Sequence, residues 1–135
     1  MIETYLVPQG TTVTAKGEGA PVDISAAGHR VFLLSLVITR VVEQEALDVA
    51  VQGSANGTDW SDKALLSFSQ KFYTGEHPLL LDLTGDREVK FLRARWEVNR
   101  WGRGETQPSF EFHVALREVP PDVLAEASAP RKPGR

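Results

Sequence analysis

The chain has 135 residues, of which 41% are hydrophobic and 24% charged, with a formal charge of −3 and no cysteine. That length suits one domain able to bury a core without covalent or metal staples. The mild acidity gives no global attraction for nucleic acid or an anionic membrane, and the lack of cysteine excludes disulfides, zinc–thiolate sites and thiol nucleophiles.

The first ten residues, MIETYLVPQG, carry neither a basic leader nor an apolar stretch, and the longest apolar run, VFLLSLVI, is too short to span a bilayer. The sequence therefore predicts a soluble chain without signal peptide or membrane segment, and leaves its compartment, virion or cytoplasm, unread. Short β-prone segments then recur between turn signals, at residues 2–7, 11–16, 22–25, 31–42, 47–53, 65–73, 79–83, 89–98 and 109–119. This spacing predicts an all-β, antiparallel sandwich of jelly-roll type over residues 1–119.

Side-chain phase is clearest in three segments. Leu47, Val49 and Val51 alternate with Asp48 and Gln52; Leu92, Ala94, Trp96 and Val98 alternate with Arg93, Arg95 and Glu97; and Phe110, Phe112, Val114 and Leu116 alternate with Glu111, His113 and Arg117. Each reads as a half-buried strand, because successive side chains of a strand point to opposite faces. The segment 31–42 differs: Phe32, Leu34, Leu36 and Ile38 form one apolar face, while Val31, Leu33 and Val37 make the other apolar too. Either the strand is buried between layers or bends from sheet to sheet, or its second face is a subunit interface.

Between the fifth and sixth segments lies GSANGTDWSD, residues 53–62. Asn56-Gly57 is a tight-turn dipeptide, since both residues tolerate positive φ. Ser54 and Asn56 are expected to satisfy loop backbone groups, with Trp60 plugging one end of the sandwich. The segment is similar to the Asp-box loop of sialidase-like propellers, although it is one residue shorter and has Asn56 in place of the aspartate. It more closely resembles the GS-x-(Asn/Asp)-G-x-x-W hairpin loops of small β-sandwich domains in phage virion proteins and carbohydrate-binding modules, through Gly53, Ser54, Asn56, Gly57 and Trp60. That resemblance implies either an assembly protein or a sugar binder that uses loop tryptophans, with Asn56 and Asp59 supplying polar contacts.

The penultimate loop, EVNRWGRGETQPSF, sets Arg100 and Arg103 around Trp101, with Gly102 and Gly104 allowing a sharp turn. Arginine and tryptophan together suit a carboxylate-bearing partner or a stacking platform. Glu88, Glu97 and Glu105 interrupt the basic patch that nucleic acid would need. The last sixteen residues, 120–135, form a Pro/Ala-rich tail ending in Arg131, Lys132 and Arg135, after a short turn or helix at PPDVLAEA.

Catalytic signals are sparse. His29, His77 and His113 are scattered and read as surface residues, and neither a nucleophile elbow nor a phosphate loop is present. The sequence therefore predicts a non-enzymatic structural or interaction subunit, without metal or cofactor, that forms a homo-oligomer or meets an assembly partner. A carbohydrate-binding module built on Trp60, Trp101 and polar loop residues is the alternative.

Overall fold

The computed structural model describes residues 2–41, 45–60, 63–71, 73–100 and 109–120. Among the described residues there are nine antiparallel strands: β1 (Glu3–Val13), β2 (Gly17–Glu18), β3 (Val22–Asp23), β4 (Val31–Val41), β5 (Glu45–Ser54), β6 (Leu66–Ser67), β7 (Gly75–Asp82), β8 (Phe91–Arg100) and β9 (Phe110–Val119). They form two sheets. Sheet A has the order β1-β9-β4-β7; sheet B runs β2-β8-β5-β6, with β3 also pairing β8.

The inward faces carry the alternation that the sequence displays. Phe32, Leu34, Leu36 and Ile38 of β4, with Phe110, Phe112, Val114 and Leu116 of β9, meet Leu47, Val49 and Val51 of β5 and Leu92 and Ala94 of β8 in one cluster. Trp96 lies partly buried at its margin, edge-to-face with Phe112 at 5.7 Å between ring centroids. Phe32, Phe110 and Phe112 are fully buried, and burying each such side chain contributes about 1.5–3 kcal/mol, which makes this seam the main source of stability.

Five of the expected segments depart from the pattern. Residues 2–7 and 11–16 were expected to be separate strands but form the single strand β1, whose register against β9 shifts between Tyr5 and Val7 and again between Val7 and Thr11. Pro8 and Gly10 (φ +80°) occupy that interval, and a bulge lets the ladder continue past a proline that cannot donate. Segment 65–73 shrinks to β6 and a bridge between Leu47 and Lys71. Segment 79–83 starts four residues earlier, at Gly75, because pairing with Val37 and Ile38 of β4 overrides the weak strand preference of Gly75-Glu76-His77-Pro78. Segment 89–98 lies two residues later, at Phe91–Arg100.

A buried carboxylate ties the ends of the fold together. Glu118 continues the inward phase of β9 and is 2% exposed. Its side chain accepts the backbone N–H of Ile2 at 3.0 Å and of His29 at 2.9 Å, while its own N–H donates to Ile2 O at 2.8 Å. Burial pushes its pKa up, but those two N–H donors, the N-terminal amino group and His29 outweigh it and leave the carboxyl below its ordinary value.

Candidate functional site

The outer faces of the two sheets differ in chemistry. On sheet B the outward residues are polar. Asp48 lies opposite Glu97, Ala50 opposite Arg95, and Gln52 opposite Arg93. Arg93 is held at three points: its guanidinium meets Glu18 at 3.0 Å, its Nε donates to Gln52 at 2.9 Å, and its Cζ stands 4.4 Å from the centre of the Trp60 ring. A hollow of about 200 Å³ lies beside this cluster, bordered by Asp48, Gln52, Arg95 and Glu97. Trp60 therefore does not plug an end of the sandwich. The loop folds back over sheet B and sets the indole against an outward arginine, a placement that cation–π attraction favours.

The loop that delivers Trp60 is closed on itself. Ser54 Oγ accepts the N–H groups of Asn56 (3.2 Å) and Gly57 (2.9 Å) and donates to Asn56 Oδ1 at 3.1 Å. Asn56 Oδ1 also accepts the N–H of Thr58 at 2.9 Å and of Asp59 at 2.8 Å, and Asn56 Nδ2 donates to the Asp59 carboxylate at 2.7 Å. Gly57 adopts φ +82°, as the Asn-Gly turn requires. Asn56 and Asp59 thus direct their polar atoms inward to shape the loop.

On sheet A the outward face is largely apolar or neutral. Register places Glu3, Arg117, Leu33 and Leu80 in one row across the four strands, and Tyr5, Ala115, Ser35 and Pro78 in the next; His113, Val37 and Glu76 follow. Leu33, Val37, Leu80 and Ala115 are half-buried, and Tyr5, 41% exposed, stands edge-on to His113 at 5.8 Å. A shallow depression of about 540 Å³ crosses this face, lined by Glu3, Tyr5, Leu33, Ser35, Glu76 and Arg117. Leu33 and Val37 on the second face of β4 are thus turned outward and half-buried, whereas Val31 on the same face, expected to share their setting, is fully buried beside Val119.

The remaining candidates divide plainly. Arg100 ends β8, paired through the backbone with Glu45; its side chain, Trp101, Arg103 and the tail from residue 121 lie outside the described residues. His29 contributes its backbone N–H to Glu118. His77 is not a surface residue as expected: it shares the inward phase of Leu79 and Leu81, and its buried Nε2 has no hydrogen-bond partner among the described residues. Burial, then the Lys71 ammonium, lowers its pKa. Sequence reasoning missed Glu118, although its even-numbered phase with Phe110 to Leu116 marks it as an inward acid.

Among the described residues no cluster of three or more His, Asp or Glu could hold a metal ion, and no helix is long and apolar enough to cross a membrane. Neither a comparison with models of protein families nor one with curated proteins returns a match to this chain.

Proposed function

We propose that this protein is a non-enzymatic assembly subunit that associates with copies of itself through the outer face of sheet A. The observation that carries this reading is the patch of half-buried apolar residues Leu33, Val37, Leu80 and Ala115 on that face, beside the exposed Tyr5. Contiguous apolar surface of this kind marks interaction sites in soluble proteins. The edges of sheet A favour contact through the face: β1 carries Pro8 and two register shifts, and β7 carries Pro78 at its middle. Proline cannot donate to an added ladder, so neither edge suits strand-by-strand extension.

The strand order supports the finer reading of the sandwich as a jelly roll. With β2 and β3 taken as halves of one interrupted strand, β1-β9-β4-β7 over β2-β8-β5-β6 has the order of two interleaved Greek keys. Viral capsid and lectin domains share that architecture, which is an analogy of fold and decides no function. A virion-type or decoration role is the assembly context this reading favours. The carbohydrate-module alternative is less well supported, because Arg93 occupies one face of Trp60 and the loop uses Asn56 and Asp59 internally.

Native mass measured across a concentration series tests the reading. A discrete oligomer is expected, and Leu33→Asp is expected to dissociate it while leaving the far-UV spectrum unchanged. A monomer at every concentration, or an oligomer indifferent to Leu33→Asp, refutes it.

A further inference from the structure

Ser35 sits midway between two exposed, oppositely charged residues. Leu33 of β4 lies beside Arg117 of β9, and Val37 lies beside Glu76 of β7, so Arg117 and Glu76 stand two residues and one strand away from Ser35 on opposite sides. Strand spacing and rise put them about 16 Å apart, with Ser35 at the middle. Neither forms an ion pair among the described residues; Arg117 pairs in register with Glu3 on β1 without a salt bridge between them. Both border the same depression.

We infer that a second copy of this chain docks face to face on sheet A about a two-fold axis passing over Ser35, with Arg117 of each copy against Glu76 of the other. This inference rests on the assembly reading above and adds its register. An isologous contact needs a self-complementary patch, and a cation and an anion placed symmetrically about one small residue meet that need twice. The axis that exchanges Arg117 with Glu76 sets the strands of the two copies crossing steeply, as in orthogonal sheet packing. It also lays Ala115 over Val37 and Leu33 over Pro78 of the second copy, so apolar area is buried between the two charge pairs. Arg117 and Glu76 lie at the margin of the patch, where paired charges set orientation more than affinity.

The test is a charge exchange read by sedimentation over a concentration series. Arg117→Glu and Glu76→Arg are each expected to weaken self-association about tenfold or more, and the double exchange to restore it to within about threefold. Both sites are exposed, so unchanged thermal melting serves as the folding control. Because the chain has no cysteine, Ser35→Cys supplies a lone thiol. Sheets packed face to face stand about 10 Å apart, so a short bismaleimide should join two Ser35→Cys chains efficiently, and Ala55→Cys on the sheet B loop should not. If the wild-type protein self-associates but the exchanges are neutral and Ser35→Cys does not cross-link, the register is overturned and the assembly reading stands. If the wild-type protein stays monomeric, both fail.

Discussion

Substitution of Glu118 by alanine would remove the acceptor of two backbone N–H groups from a position 2% exposed. A hydrogen bond to an ionised group contributes about 1.5–3 kcal/mol, and both donors here belong to partly buried residues, so the two together should account for about 2–3 kcal/mol. For a domain of this size that corresponds to a fall in Tm of about 10 °C. Glutamine at 118 retains one acceptor but turns an amide N–H toward a backbone donor, and should cost nearly as much. The pH dependence follows from the lowered carboxyl pKa. The stabilisation is complete above the unfolded glutamate value of about 4.3 and disappears as pH falls through the lower folded value. Urea unfolding of wild type and both variants at pH 7, 5 and 3 checks this. The difference between wild type and Glu118→Ala should be full at pH 7 and shrink by pH 3. A loss below about 0.5 kcal/mol at pH 7, the range of an ordinary surface change, or a difference that does not shrink on acidification, would refute the account of this clasp.

Gly53→Ala should destabilise by about 1–3 kcal/mol in urea unfolding, because a Cβ there would meet Leu65 Cδ1 at 2.6 Å and Val89 Cγ1 at 2.9 Å. Gly57→Ala should lose about 1–2 kcal/mol for a different reason, since φ +82° is strained for any residue with a Cβ; asparagine at 57 should recover part of the loss. His77 has a lowered pKa, so its contribution to stability is complete above the unfolded histidine value of about 6.5 and declines as pH falls from there toward the folded value; His77→Leu should flatten the stability profile between pH 7 and pH 5, measured by chemical denaturation. A double-mutant cycle on Trp60→Ala and Arg93→Ala should give a coupling of about 0.5–1 kcal/mol in favour of the pair, and a coupling of zero would mean that the stacked geometry contributes nothing in solution.

The sequence reveals those parts of the fold where one face is wet and the other dry. In β5, β8 and β9 the two-residue period places the apolar core residues correctly, because apolar side chains recur at every second position, although it passes over the inward Glu118. The doubly apolar β4 is equally legible as an anomaly. Its outward Leu33 and Val37 are half-exposed in the described fold, which leaves the interface alternative as the one developed above. Other features depend on long-range pairing that no local pattern encodes. Pro8 and Gly10 read as a break, yet β9 holds both halves of β1 in one ladder. Gly75-Glu76-His77-Pro78 reads as a turn, yet β4 recruits it as an edge strand. Trp60 illustrates the limit for the candidate site: the alternation of β8 puts Arg93 outward, but only the tertiary path of the loop brings the indole over it. Asn56 and Asp59 were expected as binding or loop-shaping residues, and the hydrogen bonds within the loop support the second role.

The strand order of sheet A also governs when the protein can fold. Its inner strand β9 pairs with both β1 and β4, yet of the described strands it is the last to leave the ribosome. Sheet B can begin with β5 and β6 and extend once β8 has emerged, whereas in sheet A only β4 and β7 can pair before β9 emerges. Glu3 must wait for Arg117, and closing so long a loop is entropically costly, so folding should be slow for a chain of this length. In that interval β1 and the apolar flank of β4 lack partners, the state in which nascent β-proteins aggregate. The prolines that interrupt β1 and β7 are then as valuable during synthesis as in the finished molecule, because they deny passing chains an uninterrupted ladder.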